Sequence, residues 1–180
     1  MKIVLISGSP RKNSLSHHIA IYLEDYFKNK NLQIDVINMQ TTVLPFIQKV
    51  WTKREDVPAE FIPQWDLMQN ANAFILVSPE YNGGYSAAMK NFLDHFPKFI
   101  FAHKALGIVT GSTGAMGGMR AAQQLFLLAA GFGAIASPTM LITGEMDKKF
   151  SPEGKLIHAD FQKSIDKFYE EFLWLGENLL

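Results

Sequence analysis

Apolar residues along this chain follow two rhythms. Short β-rich runs occupy Lys2 to Ser7, Leu32 to Asn38, Ala73 to Ser78 and Ala105 to Thr110, and a fifth is expected at Ala134 to Met140. Several are apolar without alternation, as strands covered on both faces by helices require. Between them the spacing changes to three and four. Leu15, Ile19, Tyr22, Leu23 and Tyr26 predict one amphipathic helix, and Ile157, Phe161, Ile165, Phe168, Phe172 and Leu175 predict another. Pro58 and Pro63 bracket the start of a weaker helix that reaches Asn70 through Trp65 and Met68. Ala121 to Ala130 predicts a small-residue helix stopped by Gly131.

Strand and helix therefore alternate throughout, which with right-handed crossovers builds a doubly wound parallel sheet. Five strands in 180 residues favour the flavodoxin-like α/β order 2-1-3-4-5 over the six-stranded dinucleotide-binding order. A chain of this length closes one core, so residues 1–180 are expected to form a single domain. Thr41 to Ala59 is a long connection carrying Trp51 and the mixed-charge run Lys53 to Asp56. Its length makes it a candidate functional loop.

Composition then narrows the chemistry. Seventeen Lys and Arg balance seventeen Asp and Glu, so no field draws the chain to nucleic acid or to an anionic membrane. The absence of cysteine excludes disulfides, thiolate nucleophiles and Cys-ligated metals, and any redox chemistry has to come from a bound cofactor. The apolar start at Met1 to Ile6 stops too soon for a signal peptide, and Leu125 to Ala136 is broken by Gly131 and Gly133, short of the roughly 20 residues that span a bilayer. A soluble cytoplasmic protein is expected. His17 and His18 point apart on a helix and no histidine has a partner at metal spacing, so no metal site is expected. Ser7, Ser9 and Ser112 lack a G-x-S-x-G elbow and an identifiable neighbouring histidine, which argues against a hydrolase.

Three loops carry the remaining signal. After the first strand, Ser7-Gly8-Ser9-Pro10-Arg11-Lys12-Asn13-Ser14-Leu15-Ser16 offers unpaired N–H groups at a helix start, hydroxyls and two cations, enough for one monophosphate. Taken alone it reads equally as a Ser14 helix cap beside a solvated Arg11. After the third strand, Pro79-Glu80-Tyr81-Asn82-Gly83-Gly84-Tyr85 combines aromatic surface with glycines that admit close backbone approach, suiting a flat ring. In a 2-1-3-4-5 sheet these two loops flank the switch point. The fourth strand ends in a third small-residue loop, Thr110 to Arg120, with Ser112 and Thr113 as contact candidates.

These loops resemble the NADPH-dependent FMN reductase family. Its G-S-x-R-x-x-S loop is met by Gly8, Ser9, Arg11 and Ser14, its P-E-Y-N-G loop by Pro79 to Gly83, and its K-N-x-x-D by Lys90, Asn91 and Asp94. A G-G-x-R-A segment at Gly117 to Ala121 extends the match. The resemblance implies that Ser9, Arg11, Ser14 and Ser16 hold the FMN phosphate, that Pro79, Glu80, Tyr81, Asn82 and Gly83 hold the isoalloxazine and ribityl, and that Ser112 meets one ring edge. It further implies ping-pong hydride transfer from NADPH or NADH to a flavin, quinone, azo compound or metal oxyanion, with no catalytic side chain from the protein, in a homodimer or homotetramer. Exposed aromatics on the third and last helices would suit such an assembly. The alternatives are a flavodoxin-type one-electron carrier, which the missing T-x-T-G-x-T loop argues against, and a flavin-binding sensor. Ser16 and Ala87-Ala88 depart from the asparagine and proline-glycine that many relatives carry.

Overall fold

The structure, a computed structural model, describes residues 1–180. Its elements are β1 (Lys2–Ser7), α1 (Leu15–Asn29), β2 (Gln33–Asn38), α2 (Ile62–Asn70), β3 (Ala73–Pro79), α3 (Ala87–Asp94), β4 (Ala105–Gly111), α4 (Met119–Phe132), β5 (Ile135–Ala136), β6 (Leu141–Thr143) and α5 (Gln162–Asn178). The strands form one parallel sheet in the order β2-β1-β3-β4-β5, with β6 also paired to β4. Both the flavodoxin-like order and the first four strands match the sequence expectation to within about a residue.

Alternate strand residues face opposite layers. Val4, Ile6, Phe74, Leu76, Leu106 and Ile108 pack with α2, α3 and α4, whereas Ile3, Leu5, Ile75, Val77 and Val109 pack with α1 and α5. Every residue of β3 and β4 is buried, as central parallel strands require.

Three expectations change. The fifth strand is two pieces rather than Ala134 to Met140: β5 pairs with Ala105 and Leu106, and β6 with Val109 to Gly111. Pro138 has no N–H to donate, so the chain leaves the sheet there and returns at Leu141. Helix α4 runs past Gly131 and stops at Gly133, whose φ of 71° lets the Gly133 and Ala134 N–H groups close on the carbonyls of Ala130 and Ala129. Ile157 lies outside α5, 59% exposed, in a loop whose Phe150 and Leu156 bridge. Of the aromatics on the third and last helices, Phe92 of α3 is buried and Trp174 of α5 is exposed. No helix is long and apolar enough to cross a membrane.

Candidate functional site

The helices after β1 and β3 lie on opposite faces of the sheet, so the loops after these adjacent strands diverge and leave a crevice. The β1 loop is first tied to its neighbour. Gly8 N–H donates to the Val77 carbonyl at 2.8 Å, and the Ser86 hydroxyl, which also caps α3, donates to the Gly8 carbonyl. Asn13, with φ of 56°, then turns the chain into α1.

Ser14 holds the N-cap position of α1 with extended backbone, but its hydroxyl accepts no N–H from the first turn. It meets the Ser16 hydroxyl at 3.0 Å instead. The backbone N–H groups of Lys12 to Ser16 therefore have no acceptor within the protein, while Arg11 and Lys12 stand exposed without an ion pair. Open donors, the positive end of a helix and two unpaired cations make a strong monoanion or dianion seat.

The β3 loop is a tight hairpin. Tyr81 N–H donates to the Gly84 carbonyl at 2.8 Å and Gly84 N–H to the Tyr81 carbonyl at 3.1 Å, around Asn82 and Gly83 at φ 52° and 85°. This is the type I′ turn that an Asn-Gly pair favours. Gly83 thus serves the turn; the nearest atoms to a Cβ there would be those of the Arg120 guanidinium, at 3.6 Å. The Tyr81 side chain points to the other loop: its hydroxyl shares a 2.9 Å hydrogen bond with Ser9, and the Arg11 guanidinium lies 4.1 Å from its ring centroid.

The Glu80 carboxylate crosses to α4, accepting from the backbone N–H of Arg120 at 3.2 Å and from Arg120 Nε at 2.9 Å. Gly118, the N-cap of α4, has no side chain to do this. The β4 loop is sewn to the segment after β6, with Ser112 N–H donating to the Thr143 carbonyl and Met146 N–H to the Ser112 carbonyl, both at 3.1 Å.

Together these loops enclose a cleft of about 330 Å³. Arg11, Ser14, Pro79, Glu80, Tyr81 and Ser112 line it. Ser9 and Ser16 are buried and absent from its lining, and Asn82 and Gly83 stand at the hairpin tip, also outside the lining. Lys12, Asn13, Thr113 and Met146 line it as well. Lys12, Asn13 and Thr113 fall within the motif loops, but nothing in the sequence around Met146 announces its place, which depends on hydrogen bonds more than 30 residues apart.

Other residues singled out from sequence take different places. Tyr85 packs on the core side of α3, where burial, then Asp94, pushes its hydroxyl pKa up to about 12. Of K-N-x-x-D, Lys90 and Asp94 pair along the surface of α3, and Asn91 grips the long connection, donating to the Pro45 carbonyl and accepting from Ile47 N–H, each at 2.9 Å. Ser7 does have a histidine beside it: its hydroxyl lies 2.9 Å from His17 Nδ1, and Asn38 Nδ2 lies 3.2 Å from Nε2. Burial, then the nearby His18, lowers the His17 pKa, and Ser7 itself is fully buried, so the pair has no access to a substrate.

Residues 1–147 match the family described as NADPH-dependent FMN reductase. An NADPH azoreductase of a Bacillus sp. is 28% identical over 171 residues, covering 93% of this chain and 92% of its own. The FMN-dependent NADPH-azoreductase of Staphylococcus aureus is 25% identical, covering 99% and 96%. Among solved structures, the flavoenzyme NAD(P)H:(acceptor) oxidoreductase FerB of Paracoccus denitrificans superimposes with a TM-score of 0.76 over 98% of this chain and 97% of that one, at 18% identity, a likeness of fold.

Proposed function

Because the chain belongs to the NADPH-dependent FMN reductase family, we propose that FMN occupies the cleft beside β1 and β3 and that electrons pass from NADPH or NADH to a small-molecule acceptor in two alternating half-reactions. The observation that carries this reading is the uncapped start of α1, where five consecutive N–H groups, Lys12 to Ser16, lack a protein acceptor beside an unpaired Arg11. One phosphate satisfies such a set. Bound FMN supplies the two-electron chemistry that this cysteine-free chain lacks.

The residues divide the work. Arg11, Lys12, Ser14 and the N–H groups of the first turn bind and orient the phosphate, backed by Ser9 and Ser16 from the buried side. Pro79 to Gly83 present a rigid edge to the ribityl and ring, while Ser112, Thr113 and Met146 form the opposite wall. The acceptor is expected to be a flavin, quinone, azo compound or metal oxyanion, and a homodimer is the expected assembly.

Denaturing release followed by mass analysis should yield FMN; FAD or a metal would overturn the cofactor assignment. Turnover of NADPH and NADH with a quinone, free FMN, an azo dye and chromate should rank the acceptors and give parallel double-reciprocal lines. Intersecting lines would overturn the alternating scheme, and a bound flavin that dithionite reduces but NADPH does not would favour a carrier. Sedimentation checks the dimer.

A further inference from the structure

Resting on the reading that the FMN phosphate sits on the β1 loop, we propose that Tyr81 sets the preference of this site for a phosphorylated flavin by holding Arg11 in position. Tyr81 belongs to the loop expected to serve the ring, yet its contacts go to the phosphate loop. The Tyr81 hydroxyl bonds to Ser9, Ser9 Oγ accepts the backbone N–H of Arg11 at 3.4 Å, and the Arg11 guanidinium carbon lies over the Tyr81 ring, 4.1 Å from its centroid. Arg11 makes no ion pair and donates no side-chain hydrogen bond elsewhere.

Stacking uses the face of a guanidinium and leaves its edge, where the N–H donors lie, free for an oxyanion. A long exposed side chain otherwise loses rotamer freedom when it takes up a phosphate, and a ring that already holds it removes part of that loss. Tyr81 is presented from a rigid base, since its hairpin is closed by two backbone hydrogen bonds and the preceding Glu80 is anchored on α4. A positioning residue on one loop thereby acts on the ligand group bound by the other.

The test compares two ligands that differ only in the phosphate. FMN and riboflavin are titrated into the flavin-stripped full chain, following flavin fluorescence, for wild type, Tyr81→Phe, Tyr81→Leu, Arg11→Ala and the Arg11→Ala/Tyr81→Leu double variant. Tyr81→Leu should lower the ratio of FMN to riboflavin affinity by about tenfold, the scale of a lost cation–π contact and its hydroxyl partner. Tyr81→Phe, which keeps the ring, should retain most of the ratio. In the Arg11→Ala background, Tyr81→Leu should change the ratio no further. Equal loss of both ligands in Tyr81→Leu overturns the proposal, as does a Tyr81→Phe variant as damaged as Tyr81→Leu, or an undiminished effect without Arg11. A wild-type protein that binds riboflavin as tightly as FMN overturns the phosphate seat itself, a distinct result. Tyr81 is half-buried at a hairpin outside the core, and thermal melts verify that each variant is folded.

Discussion

Replacing Glu80 separates two roles that one carboxylate could have. In the structure it substitutes for a missing cap: α4 starts at Gly118, and Glu80 reaches from the end of β3 to the N–H of Arg120 at 3.2 Å and to the Arg120 guanidinium. Losing a cap acceptor costs about 1 kcal/mol. Loss of a negative charge at a helix N-terminus adds about 0.3 to 1 kcal/mol. Arg120 is 73% exposed, so solvent screening limits its ion pair to about 0.2 to 1 kcal/mol. Glu80→Ala should therefore lose about 1.5 to 3 kcal/mol, and Glu80→Gln, which keeps an acceptor but not the charge, about 0.5 to 2 kcal/mol. Urea unfolding of flavin-free protein reads this as a lower midpoint at constant slope. Added salt should shrink the Arg120 and helix-terminus charge shares but not the cap hydrogen bond. An alanine variant within about 0.5 kcal/mol of wild type would refute the capping account. So would a glutamine variant of unchanged stability whose FMN affinity falls tenfold, because the carboxylate would then serve the ligand.

Arg11→Ala should weaken FMN binding by about tenfold or more, the worth of a charge-assisted phosphate contact, without lowering the unfolding midpoint; an unchanged titration would place the phosphate elsewhere. His17 and His18 have pKa values lowered from about 6.5, first by burial, so below that pH the unfolded chain binds more protons than the folded one. Their contribution is present above about pH 6.5 and is lost as the pH falls through the folded values. His17→Gln should accordingly shrink the drop in urea midpoint between about pH 7.5 and 5.5, and an equal drop in both proteins would contradict this. Gly117→Ala should destabilise by about 2 to 4 kcal/mol, because the residue has φ of 62° and a Cβ would fall 2.6 Å from Gly144 N; a melting temperature within a degree of wild type would sink that estimate.

What the sequence made legible follows from where the physics is local. The apolar runs of β1, β3 and β4 need cover on both faces, and the helical patterns between them supply that cover and make the pairing parallel. The split of the fifth strand was hidden because hydrophobicity continues through Met140 to Ile142, while the missing N–H of Pro138 decides the path. Gly131 and Gly133 offer the same stop signal, and the chain takes the left-handed φ at the second, whose carbonyl accepts the His103 N–H. At the site, the G-S-x-R-x-x-S and P-E-Y-N-G motifs lead to the cleft because each follows directly on a strand that the apolar pattern places, and Arg11, Ser14, Pro79, Glu80 and Tyr81 line it. Contacts between residues far apart in the chain are not legible in this way: Glu80 also reaches α4, Asn91 holds the connection after β2, and Met146 reaches the cleft through Ser112. The Asn82-Gly83 pair carries a hairpin signal of its own, independent of any ligand.

The cleft joins the two ends of the folding problem. The side proposed here for the phosphate comes from the first sixteen residues of the chain and one of the walls from Met146, held in place by the pairing of Ser112 with the segment after β6. A nascent chain that has emerged only as far as β4 already carries the β1 loop and the hairpin but lacks that wall. The site is thus completed late, by a contact of long sequence separation, and a ligand bound in it fastens the first strand to the last part of the sheet. Ligand should then delay unfolding of the whole sheet rather than of one loop, and hydrogen exchange in β1, β4 and β6 should slow together on loading.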